Sequence, residues 1–101
     1  MAIIGTIGGG GVKSTSGIGA STTSTNTYTV PAGSYVTIHG YNGADSSASL
    51  IVTQNGIAIT LASGQTTVAN LNYSVGAGAV ITVSISNSKF TAKWNGIKYT
   101  L

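Results

Sequence analysis

The sequence predicts an all-β fold: an antiparallel β-sandwich, jelly-roll-like, of about eight short strands, with a flexible Gly/Ser/Thr-rich N-terminal arm. Three observations predict it. Apolar and polar residues alternate with period two through much of residues 27–101, as in Ile81-Thr82-Val83-Ser84-Ile85. No stretch carries an apolar stripe of helical period. Asn-Gly and Gly/Pro turn signals recur between the alternating runs.

Residues 1–26 read as an arm and residues 27–101 as the sandwich domain. Four consecutive glycines, Gly8 to Gly11, and the run Ser21-Thr22-Thr23-Ser24-Thr25 give the arm high chain entropy and little to bury. Ile3, Ile4, Ile7, Val12 and Ile18 do not fit a purely solvated linker. They are candidate contacts of an arm that orders on a neighbouring subunit, set against a plain disordered terminus. The strands are expected near 27–30, 34–42, 48–54, 57–62, 66–73, 79–86, 88–94 and 97–101. Asn55-Gly56 and Asn95-Gly96 supply the paired positive φ angles of two-residue hairpin turns. The first would set Val52 opposite Ile59 and Leu50 opposite Leu61. The second would set Trp94 opposite Ile97, Ala92 opposite Tyr99 and Phe90 opposite Leu101, so that apolar meets apolar in both hairpins. A core of this size is small, and association with copies would add to it.

Composition narrows the function. Charged residues make up 5% of the chain, against about 25% in an average soluble domain, so any surface here is solvated by Ser, Thr, Asn and Gly. No apolar run approaches the ~20 residues of a membrane-spanning helix. The amino-terminal residues lack a basic leader and read as a poor signal peptide. Cysteine is absent, which excludes disulfides and thiolate metal sites. Asp45 is the sole acid and His39 the sole histidine, too few for paired-carboxylate catalysis, and nothing flanks the serines like a nucleophile elbow. No enzyme activity, metal or cofactor is expected. Lys13-Ser14 resembles the end of a phosphate loop, but Val12 stands where glycine is required.

Two groups of candidate contact residues remain. The Asn95-Gly96 register would place Lys93 opposite Lys98, with Lys89 on the same face. That patch is either a solvated guard of a strand edge or a contact for an acidic partner. Tyr35, His39 and Tyr41 share parity opposite Val36 and Ile38, so they are expected on the outer face of their strand.

The segment Thr29-Val30-Pro31-Ala32-Gly33-Ser34-Tyr35 resembles the opening strand of small β-sandwich modules in phage virion proteins. The Asn55-Gly56-Ile57 hairpin and the stretch from Val75 through Gly76-Ala77-Gly78 to Val83 extend that resemblance over about residues 27–86. It implies a capsid decoration, or cement, protein on the capsid exterior. Its partners would be the major capsid protein or other virion subunits. It would be a homo-oligomer, a trimer, that stabilises the assembled shell by binding only that state. No nucleic acid or membrane partner is implied. The alternative use is a tail-spike, fibre or adhesion module that contacts a host glycan through Tyr35, His39 and Tyr41.

Overall fold

A computed structural model describes residues 11–101 and shows nine strands and no helix among them. They are β1 (Ser14–Thr22), β2 (Thr25–Thr29), β3 (Ser34–Asn42), β4 (Ser49–Gln54), β5 (Ile57–Ser63), β6 (Thr67–Val68), β7 (Tyr73–Val75), β8 (Val80–Ser84) and β9 (Ala92–Thr100). Two antiparallel sheets form the sandwich. The first runs β1-β9-β3, and the far side of β3 is shared by β7 and β6. The second runs β2-β8-β4-β5.

The period-two pattern does what a half-buried strand requires. Val36 and Ile38 of β3, Leu50 and Val52 of β4, Ile81 and Val83 of β8, and Ala92 and Trp94 of β9 are buried between the sheets. The intervening Thr27, Thr29, Ser49, Thr82 and Ser84 fall on the opposite parity and are exposed or half-buried. The sandwich is therefore built by alternation, without a single charged residue in the core.

The arm extends less far than its composition suggests. Ser14–Thr22 is β1, an edge strand paired residue for residue with β9 from Ser14↔Thr100 to Thr22↔Ala92. Ile18 and Ala20 pack partly against the core. A strand with one solvated face and one shallow contact can be rich in Ser and Gly, so low hydrophobicity alone does not exclude it. At Gly19 a Cβ would run into the Trp94 carbonyl, so glycine lets β1 lie close on β9. The chain then crosses between sheets through a turn in which Ser24 N–H donates to Thr22 Oγ1 at 2.9 Å. Of the arm candidates, Val12 is half-buried just before β1. Ile3, Ile4 and Ile7 lie outside the described residues.

The two Asn-Gly pairs behave differently. Asn55 (φ 54) and Gly56 (φ 78) form the β4–β5 turn, and Val52 faces Ile59 as the turn dictates. A bulge then shifts the register, so Leu50 faces Ala62 rather than Leu61. Asn95-Gly96 is no turn. β9 runs straight through it, because β1 on one side and β3 on the other supply ladder partners along its length. Trp94 accordingly pairs with Ala20 and Tyr41 instead of Ile97. Phe90, expected in a strand opposite Leu101, sits in the β8–β9 loop with 45% of its surface exposed.

One polar cluster ties the β3–β4 loop to the β8–β9 loop. The Asp45 carboxylate accepts from Ser47 N–H at 2.9 Å, Ser47 O–H at 2.6 Å and Asn87 Nδ2 at 3.2 Å. Ser47 Oγ in turn accepts from the backbone N–H groups of Ser86 and Asn87. The Ser47 hydrogen bonds, side chain first and then backbone, hold the Asp45 carboxyl below the usual carboxylate range. A depressed folded pKa stabilises the fold above the ordinary carboxylate range, and the contribution is lost as pH falls through the folded value. The denaturation midpoint is therefore expected to be flat above about pH 5 and to drop below pH 4. In Asp45→Asn the midpoint should start lower and vary less with pH. Equal acid sensitivity in the two proteins would remove Asp45 from the effect.

Candidate functional site

The first sheet carries Tyr35, His39 and Tyr41 on β3 and Lys93 and Lys98 on β9, but not as one patch. Its central feature is a bulge in β3. The register passes from Ile38↔Gly96 to Gly40↔Asn95, so His39 is the extra residue. A bulge reverses parity beyond it. Val36 and Ile38 point inward before it and Tyr41 points inward after it, with 2% of its surface exposed. Tyr41 is therefore a core residue, whose hydroxyl donates to the Gly64 carbonyl at 3.0 Å and whose burial pushes its pKa up. Its expected place on the outer face is corrected by that single inserted residue.

Tyr35 keeps the outward parity, facing Tyr99 across the β3–β9 pair, yet is only 4% exposed. The two rings stack at 4.8 Å and 15°. Burial and then the neighbouring Tyr99 raise the Tyr35 pKa, and its hydroxyl has no hydrogen-bond partner among the described residues. A buried, stacked ring is packing rather than an open contact platform. His39 is half-buried. Its Nδ1 lies 3.0 Å from Asn72 Oδ1, and its buried Nε2 has no hydrogen-bond partner among the described residues. On either side of His39 and Asn95 lie shallow depressions, one containing Gly40, Asn42, Thr67 and Lys93, the other Gly17, Gly19 and Ile97.

The lysines are dispersed. With β9 continuous, Lys93 and Lys98 are five residues apart on one strand and so have opposite parity. Lys93 is exposed beside Asn42 and Ser21, Lys98 is half-buried between Ser16 and Val36, and Lys89 is in the β8–β9 loop. They do not form the single face that a hairpin at Asn95-Gly96 would have made. Nor does a catalytic arrangement assemble. Asp45 is held by Ser47 and Asn87, and His39 by Asn72. Among the described residues no three His, Cys, Asp or Glu side chains group as metal ligands.

The surface that sequence reasoning missed is the free edge of the second sheet. Among the described residues, β5 pairs with β4 on one side and with no strand on the other. Ile57 is 64% exposed and Ile59 44% exposed. Both share the inward parity of Val52, but the first sheet ends on that side in the two short strands β6 and β7. The result is a notch of about 190 Å³ lined by Val52, Gln54, Ile57, Ile59 and Tyr73. No strand of this sheet contains Lys, Arg, Asp, Glu or His. The signal was present in the sequence as an uncharged run, Ile57 to Leu61, but an alternating strand looks the same whether its partner is in the chain or outside it.

No protein-family model matches the chain, and no curated protein matches it. The fold does match a solved structure, the NLP core from Drosophila, whose crystal structure bears on pentamer formation and histone binding. The two are 15% identical with a TM-score of 0.58, over 81% of this chain and 96% of that one. The likeness shows the β-sandwich fold. It also corrects the phage resemblance, since the matched protein is a histone-binding pentamer and not a virion protein. The segments around Pro31, Asn55-Gly56 and Gly76–Gly78 are turn-and-strand signals that such a sandwich needs in any setting. The capsid decoration role, the tail-spike and glycan alternative, the capsid-protein partner, the trimer and the virion location are withdrawn on that finding.

Proposed function

We propose that this chain is a non-catalytic assembly subunit, a β-sandwich that associates with copies of itself and acts as a scaffold. The observation that carries the reading is the β5 edge, which among the described residues is unpaired and leaves Ile57 and Ile59 uncovered, on a sheet whose strands carry no charge. Edge strands of monomers are usually blunted by lysine, proline, a bulge or a covering element; β5 has a bulge only towards its end, at Leu61, and among the described residues it has no lysine, no proline and no strand over it. Burying that edge also supplements a small core. Pentamer formation in the matched NLP core supports an assembling role for this fold. Histone binding transfers poorly. Histones are basic, and these 101 residues carry a net charge of +3 with a single acid, so the long-range field is repulsive.

Light scattering after size exclusion, or native mass spectrometry, tests the reading directly. A mass of two or more times the 10.0 kDa chain is expected at micromolar concentration. A monomer at those concentrations would overturn it.

A further inference from the structure

We infer that β5 is the seam of self-association, pairing antiparallel with β5 of a second copy about a two-fold axis at Ile59, so that the two β2-β8-β4-β5 sheets become continuous. The inference rests on the assembly reading and names the surface and register that it uses.

Charge selects the edge and the occupant. All four lysines lie outside the β2-β8-β4-β5 sheet: Lys93 and Lys98 on β9, Lys13 just before β1, and Lys89 in a loop. Two copies meeting through the first sheet would bring like charges together with Asp45 alone to offset them. Two copies meeting through β5 bring none. The edge requires an extended, uncharged, apolar strand, and a second β5 has that chemistry over its own seven residues. The opposite edge of the same sheet, β2, presents Thr25, Thr27 and Thr29 to solvent and has little apolar surface to cover.

Parity fixes the register. A two-fold axis perpendicular to the sheet keeps the inner face inner, so opposed residues must share parity and the axis must fall on a residue. Centred on Ile59, it sets Ile59 against its own mate and Ile57 against Leu61, both on the inner face. Ala58 then meets Thr60 on the outer face. The isoleucines of each copy cover the open notch of the other beside Tyr73. The bulge at Leu61 falls at the end of this seam, where a change in twist does least harm.

The chain has no cysteine, so an introduced one reports without background. In antiparallel pairs the opposed Cα atoms are about 4.5–5.5 Å apart, within the range a disulfide spans. Ile59→Cys should therefore oxidise to a covalent dimer at twice the 10.0 kDa chain mass on a non-reducing gel. Ile57→Cys should not, because its mate lies four residues along the strand, about 14 Å away. Both positions are exposed, and far-UV circular dichroism confirms the fold of each variant. An oligomeric wild type with no Ile59→Cys cross-link, or with both variants cross-linking alike, overturns the seam and leaves assembly standing. A monomeric wild type overturns assembly and the seam together.

Discussion

Trp94→Ala is expected to destabilise the domain by about 3–5 kcal/mol, a large part of the 5–15 kcal/mol typical of a whole domain. Trp94 is the sole tryptophan, 3% exposed, on the strand that joins β1 to β3. Its ring packs against Tyr28 of the opposite sheet at 6.1 Å and 58°, so it bridges the two layers. Alanine there leaves a cavity that paired strands on both sides keep from collapsing. Phenylalanine should behave differently. The indole Nε1–H is buried without a partner among the described residues, and leaving such a group unsatisfied costs about 1–3 kcal/mol. Removing it offsets part of the lost volume, so Trp94→Phe is expected to cost less than half of Trp94→Ala. Urea denaturation followed by far-UV circular dichroism measures both. An alanine variant within about 1 kcal/mol of wild type would mean that Trp94 does not hold the sheets together.

The expected strands at 34–42, 48–54 and 57–62 lie close to β3, β4 and β5, because there alternation and turn chemistry agree. The failures have physical causes that periodicity does not carry. His39 looks like any other residue of an alternating run, yet as a bulge it reverses parity and sends Tyr41 into the core. Asn95-Gly96 has the same letters as Asn55-Gly56. What separates them is tertiary: β9 has a partner on both sides, and β1, one of the two, looked like linker. Once that hairpin dissolves, the lysine patch built on its register dissolves as well. The β5 edge was legible as a strand and illegible as a surface, since whether Ile57 and Ile59 are covered depends on β6 and β7 being too short to reach over them.

Gly96→Ala is expected to be the more damaging of two matched glycine substitutions, at about 3 kcal/mol or more, against about 1–2 kcal/mol for Gly56→Ala. At Gly56 the φ is +78° and a Cβ meets open space, so the strain of a left-handed backbone is the sole penalty. At Gly96 the backbone is in the extended strand and no left-handed φ is involved. A Cβ there would collide with the Thr37 carbonyl oxygen and come within 3.1 Å of the Ile38 Cα. Those are backbone atoms of β3, which is held by β9 on one side and β7 on the other, so no flexible side chain can move aside. If Asn95-Gly96 were a hairpin turn, both glycines would owe their place to φ and the two variants would lose similar stability. Equal losses in chemical denaturation would therefore restore the turn and split β9. A clearly larger loss at Gly96 fixes β9 as one strand and, with it, the separation of Lys93 from Lys98 by strand parity.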